Sequence, residues 1–233
     1  MADYKNIVPF IRRVEGGLSS DPKDSASKNS SPCGSRNGLP IHTNKGITWT
    51  SFQNLASKAG YVASCDNFIK MPDDIWLKVY KVGYWDAVKG DEIRNQAIAN
   101  VFVEMTWGSG LGCTNFTVCK SGTRPFMNRF FKENYNKNFS TIDEFVAFVN
   151  ELDKKGKTPE LFEQLHQFRA ERYKGMPSAP YHLTGWLRRL DEFYILNKPY
   201  AISNQEKIKA TGLFVGLGLI VFGGFYLYRK LKK

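Results

Sequence analysis

The sequence predicts a mainly α-helical protein, and three observations carry that expectation. Apolar residues recur at helical spacing in several segments, residues that cap helices precede those segments, and strand signals are sparse. At 233 residues the chain holds one ample domain or two small ones. A hydrophobic fraction of 42% is that of a folded chain rather than a disordered one.

Ile7, Phe10, Ile11 and Val14 share one helical face and predict a helix over 5–14. Glu15 follows at the edge of that face, where its carboxyl would look into a cleft. Residues 18–41, rich in Ser, Asn, Pro and Gly, read as loop. The segment 41–47 is expected to form a small hairpin. Thr48 is a helix-capping residue before a helix over 49–59, which Gly60 ends. Pro72 opens a helix over 72–82. Ile93, Ala97, Ile98, Val101, Phe102 and Met105 line one face of 93–107, the expected central helix.

In the second half, Thr141 and Glu144 form a capping box before Phe145, Phe148 and Val149. Thr158-Pro159 reads as a cap followed by proline in the first turn of a helix to 173. A further helix is expected over 183–196, followed by a polar linker. No charged residue occurs in 210–228. As a helix that run would span roughly 28 Å at about 1.5 Å per residue, close to the bilayer core of about 30 Å. Gly212 and Gly216 make a small-residue face for self-association. Tyr226 and Tyr228 sit where interfacial aromatics belong, and the tail 229–233 is basic. The expectation is one C-terminal transmembrane helix anchoring the chain in a lipid bilayer. The first six residues are polar and no apolar stretch follows them, so no signal peptide is read.

The formal charge of +11 favours polyanionic partners. The basic residues are scattered, and no nucleic-acid-binding motif accompanies them, so nucleic acid is not an expected partner. Cys33, Cys65, Cys113 and Cys119 match no zinc spacing. They allow three disulfide pairings, with Cys113 and Cys119 near enough in sequence to bridge a small loop; free thiols remain an equal alternative. His42, His166 and His182 show no metal or triad spacing.

The most informative motif is Glu15-Gly16-Gly17, followed by Thr43-Asn44-Lys45-Gly46-Ile47-Thr48. A glycosidic bond breaks when a carboxylic acid protonates the leaving oxygen while a second group stabilises the oxocarbenium ion or activates water. Glycines beside the acid let backbone approach a polysaccharide closely. The run from Gly83-Tyr84-Trp85-Asp86 through Ala99, then Trp107-Gly108-Ser109-Gly110, completes the pattern. Together and in this order these segments resemble the peptidoglycan muramidases of glycoside hydrolase family 108, over roughly the first half of the chain. Arg169-Ala170-Glu171-Arg172-Tyr173 and Gly185-Trp186-Leu187-Arg188-Arg189 echo the C-terminal part of that family, often a small helical peptidoglycan-binding module. The chain departs from the pattern in its long loop between Asp24 and Thr43, in Glu104 where Asp is common, and in 112–124.

The resemblance implies a lysozyme-like helical domain over 1–112, a second small helical region over 113–200, a linker over 201–209, the anchor and the tail. It implies peptidoglycan as substrate and no cofactor or metal. Glu15 is the expected general acid, its carboxyl partly desolvated and so favoured in the protonated form. Asp24, nine positions on, and Thr43 are expected to position water and stabilise the sugar cation, with Asp21 as the competing carboxylate. Asn44 is an expected partner for an N-acetyl group, and Trp85 and Trp107 are expected sugar platforms. A membrane-bound phage, virion or envelope enzyme acting on the cell wall is the context these features suggest, with the virion membrane or bacterial inner membrane as its site. A lytic transglycosylase on the same fold and a catalytically idle wall-binding scaffold are the alternatives.

Overall fold

In the computed structural model, which describes residues 1–112, 122–176 and 179–202, the chain enters through a 3₁₀ turn, Tyr4–Asn6. The Asp3 carboxylate accepts from the Lys5 amide at 2.9 Å and caps it. The expected helix over 5–14 is therefore split, and α1 is Val8–Val14. Pro9 suits its first turn, where no amide is needed. Phe10 and Ile11 are buried, and the helix ends at Glu15 in an extended conformation.

The loop after Glu15 holds more structure than its composition suggests. A 3₁₀ turn Ser25–Asn29 is capped by Asp24. The strands β1 (Ser35–Arg36) and β2 (Leu39–Pro40) form a hairpin. Its turn, Asn37-Gly38, has positive φ at both positions, the geometry that matches strand twist. A disulfide joins Cys33 in this loop to Cys65. Cys113 and Cys119 lie outside the described residues.

A second hairpin pairs β3 (Thr43–Asn44) with β4 (Ile47–Thr48), close to the expected position. Thr48 then caps α2 (Trp49–Ala56), its hydroxyl accepting from the Ser51 amide at 3.1 Å. An unforeseen short helix, α3 (Cys65–Lys70), follows, capped by Ser64. After α4 (Asp73–Tyr80), the backbone widens into a π turn, Lys81–Trp85, and then two 3₁₀ turns.

The central helix is α5 (Gln96–Ser109). It starts later than the apolar pattern predicts, because the Asn95 side chain accepts from the Ala97 amide and caps it there. Burial runs unbroken from Ala97 to Thr106, so the helix is enclosed on every side rather than along one face. Two further helices, α6 (Thr123–Tyr135) and α7 (Ile142–Lys154), complete the described surroundings. Phe145 of α7 packs on Phe102 of α5 at 4.2 Å between ring centres, and Phe131 and Phe139 pack against Phe145. This aromatic packing moves the division of the chain. The two units are Met1–Phe148 and Val149–Lys233, not 1–112 and 113–200.

The second unit contains α8 (Thr158–Lys174) and α9 (Ala179–Ala201). Thr158 lies inside α8 rather than capping it, and its hydroxyl donates to Asp153 at 3.0 Å. The helices pair antiparallel, with Phe162 stacked on Tyr194 at one end and Tyr173 near Trp186 at the other. The two segments of the C-terminal echo thus face each other. Burial pushes the His166 imidazole below its ordinary range, against the opposing pull of Asp191 and Glu163. The α9 helix runs through Pro199 to Ala201, well past the expected 183–196. Among the described residues, no helix is long and apolar enough to cross a membrane. The run 210–228, with Gly212 and Gly216, lies outside the described residues.

The Cys33–Cys65 bond closes a long loop, so its loss should release the chain around Asp21 and Asp24. The double variant Cys33→Ser/Cys65→Ser is expected to lose about 2–4 kcal/mol of stability. Urea unfolding measures that loss, and limited proteolysis should find new cleavage within 18–41.

Candidate active site

The acid is held by a backbone turn pressed against it. Lys45-Gly46 is the turn of the β3–β4 hairpin, with φ of 45° and 78°. The Lys45 amide donates to the Gly17 carbonyl at 3.3 Å, and the Ser19 amide to the Thr43 carbonyl at 2.9 Å. The hairpin is thereby tied to the strand of chain just after Glu15. At Gly46 a Cβ would lie 2.5 Å from the Trp107 ring and 2.6 Å from Glu15 Oε2. Only glycine fits both that space and that backbone.

Trp107, near the end of α5, donates its indole N–H to Glu15 Oε1 at 2.7 Å. That bond joins two segments 92 positions apart and fixes the half-buried carboxyl. The indole is itself boxed by Tyr84 at 4.6 Å, Tyr80 at 5.5 Å and Trp76 at 5.7 Å between ring centres. The π turn positions Tyr84 here, and such turns recur at functional sites. Burial raises the Tyr84 hydroxyl above the usual phenol range; a hydrogen bond with Ser51 opposes the shift and the Glu15 charge adds to it. Tyr80 is raised more strongly, by burial and by buried Glu104, and its hydroxyl has no hydrogen-bond partner among the described residues.

A cleft of about 320 Å³ opens beside the acid, lined by Arg12, Glu15, Gly16, Gly17, Lys45, Asp73 and Trp76. Gly16 and Gly17 have no described atom within 4 Å of where a Cβ would stand, and neither adopts positive φ. They keep the cleft wall low; they are not there to terminate α1. Arg12 Nη1 donates to Asp73 Oδ2 at 2.9 Å, and Lys45 Nζ lies 3.5 Å from Asp73 Oδ1. The Arg12 guanidinium, with Lys45 adding, holds the Asp73 carboxyl below the usual carboxylate range. Arg12 also lies over the Trp76 ring at 4.9 Å, and the Trp76 indole donates to the Lys45 carbonyl at 3.0 Å.

Other residues singled out from the sequence are placed differently. Asp24 Oδ1 accepts from the Ala26 amide, and Asp21 Oδ1 from the Lys23 amide, each at 2.9 Å. Both are exposed turn-formers. Thr43 Oγ1 is 2.8 Å from His42 Nδ1, while His42 Nε2 is 3.1 Å from the Asp21 carbonyl. Buried His42 therefore links the Asp21 turn to the hairpin. Asn44 is corrected to a structural role. It is 3% exposed, and its amide nitrogen donates to the Phe68 and Ile69 carbonyls at the end of α3. Trp85 is corrected likewise. It is fully buried beneath Gly90, with its N–H donating to Asp91 at 2.7 Å, so no face is left for a sugar. Trp107 orients the acid, and Trp76 is the tryptophan that lines the cleft.

Arg12, Lys45, Asp73 and Trp76 were missed as site residues. Arg12 had a signal, since it precedes Glu15 by three positions and so lies on the same side of the helix. Lys45 sits in the motif itself. Asp73 and Trp76 carry no local mark.

The glycines separate two kinds of constraint. Gly46→Ala should cost about 1–3 kcal/mol through overpacking and strain, and should displace Glu15. Gly17→Ala should leave stability within about 0.5 kcal/mol while raising KM for a bulky glycan. Unfolding curves and steady-state kinetics on both variants check the contrast.

Residues 8–110, which include every cleft residue, match the family model described as Glycosyl hydrolase 108. No curated protein matches the chain. Among solved structures, that described as the structure of Brucella abortus SagA is similar. It shares 16% identity over 86% of this chain and 97% of that one, with a TM-score of 0.55. At that identity the likeness is one of fold. Over residues 8–110 the chain is similar to that family, and the protein is a glycoside hydrolase.

Proposed function

We propose that the protein is a muramidase that cleaves the glycan strand of peptidoglycan, with Glu15 as general acid. The observation that supports this best is the Trp107–Glu15 hydrogen bond at the edge of the cleft, inside the region matched by the family. In this reading Glu15 protonates the glycosidic oxygen as the bond to the sugar carbon breaks. Water adds to that carbon, and its surplus proton is taken up by a second group. Asp24 and Thr43 are our choice for positioning that water and offsetting the sugar's positive charge, with Asp21 the alternative carboxylate. Their support is their place in the loop and hairpin tied to the chain behind Glu15. Asp73 is a poor candidate for the same role, because Arg12 and Lys45 already neutralise it.

The test is digestion of purified peptidoglycan with mass analysis of the products. Hydrolysis gives a reducing sugar end, and an anhydro end would mean transglycosylation. Glu15→Gln should lose about 10²–10⁴-fold in rate with its unfolding midpoint unchanged, the usual contribution of a general acid. Variant lysis within a factor of about two of wild type would remove Glu15 from the mechanism. Asp24→Asn should cost more activity than Asp21→Asn, and the reverse order would make Asp21 the second carboxylate.

We further propose that the uncharged run 210–228 anchors the enzyme in a bilayer of a bacterial inner membrane or a virion, with Gly212 and Gly216 favouring self-association. The support is its length, its lack of charge and the basic tail after it. The full chain should then stay with lipid through carbonate extraction. Recovery in the aqueous fraction would remove the anchor.

A further inference from the structure

A muramidase site works by accommodating positive charge on a sugar, yet two cations line this cleft beside the acid. Arg12 and Lys45 both reach it, and Asp73 answers only one positive charge of the pair. Uncompensated positive charge near an oxocarbenium ion is unfavourable. It becomes useful where the substrate itself brings an anion into the cleft.

The pairing geometry bears this out. A guanidinium offers a fork that matches a carboxylate with two parallel N–H bonds. Asp73 takes only the Nη1 end of Arg12, at 2.9 Å. The Nη2 end is shut off from water and has no acceptor among the described residues, an arrangement that is costly for a donor. The pair is also open to exchange: the side chains of Arg12, Lys45 and Asp73 are 36%, 40% and 67% exposed. Trp76, under the guanidinium, holds it at the cleft wall.

We propose that Arg12 and Lys45 form a carboxylate-binding subsite of the glycan cleft, in which Asp73 is an internal stand-in that a substrate carboxylate displaces. The inference rests on the peptidoglycan reading, since that polymer carries carboxylates on its stem peptides, or on the lactyl group where the peptide has been removed. On docking, the substrate carboxylate replaces Asp73 at Arg12 Nη1 and meets the Lys45 ammonium, and turning of the freed guanidinium brings the buried Nη2 round to complete the fork. Asp73, exposed, turns to solvent. The subsite thereby selects acidic glycans over neutral ones and sets where the strand lies relative to Glu15.

The test measures binding apart from turnover, with Glu15→Gln full-length protein as the background. The probes are soluble peptidoglycan strands with stem peptides, strands stripped of peptide by an amidase, and N-acetylglucosamine oligomers. Adding Arg12→Gln should weaken binding to a carboxylate-bearing strand by about tenfold, the scale of one charge-assisted contact. Binding of the neutral oligomer should stay unchanged. Loss with the first probe alone places the carboxylate on the stem peptide, and loss with the second alone places it on the lactyl group. Asp73→Asn should tighten binding of the same strand, since it removes the competitor; a merely structural Asp73 would weaken it. Arg12→Lys, which keeps the charge and loses the fork, should fall between wild type and Arg12→Gln, and it stands in if Arg12→Gln does not fold. Equal weakening of all three probes, no weakening of any, or weaker binding by Asp73→Asn overturns the subsite. Turnover by wild type without these binding shifts removes the subsite and leaves the muramidase reading. The shifts without turnover do the reverse.

Discussion

The approach of the Gly46 backbone to the Glu15 carboxyl and the Trp107 ring is the constraint on which the first unit's site depends. A side chain at that turn would push apart the end of α1, the hairpin and the end of α5. With glycine there, the three meet closely enough for the indole N–H to reach the acid at 2.7 Å. The neighbouring arrangements then follow. Lys45 is held in a left-handed conformation, its carbonyl accepting from Trp76 and its ammonium donating to the Met71 carbonyl at 2.9 Å. Asn44 locks the same hairpin to the end of α3. The acid is thus positioned by groups from four distant stretches of sequence, and the scaffold rather than the loop holds its geometry.

The aromatic wall behind the acid serves the same end. Trp76, Tyr80, Tyr84 and Trp107 form one cluster, with Tyr80 and Trp107 each in ring contact with the other three. A wall of this kind is stiff, because each ring has few rotatable bonds and several neighbours. It also excludes water from one side of the carboxyl, where electrostatic interactions are then stronger. The π turn matters here, since one extra residue in the winding sends Tyr84 to the wall and Trp85 into the core.

How much of this was legible in the sequence depended on how local the signal was. Thr48 and the Thr141–Glu144 box marked helix starts correctly, because a cap is set by residues within one turn of it. The acid and its glycines were visible as a motif, and the match over 8–110 agrees with the resemblance. Trp85 was misjudged because burial is a tertiary property; only the fold shows Gly90 lying on its ring. Asn44 was misjudged for the same reason, its partners being 24 and 25 positions away. Asp73 was invisible because its meaning comes from Arg12, 61 positions earlier. The domain division shifted because aromatic side chains of α6 and α7 pack back on the first unit, and apolar spacing does not say which partner a face will meet.

The Cys33–Cys65 bond has a consequence for how the site tolerates change. The long loop is fastened at Cys33 to the start of α3, and its far end runs straight into the hairpin that is bound behind Glu15. Between such fixed points, lengthening a flexible segment is cheap, about 0.6 kcal/mol for each doubling. The exposed β1–β2 hairpin between Cys33 and Thr43 therefore behaves as an exchangeable rim. It can grow, shrink or take on new side chains while the acid and its tryptophan stay where they are.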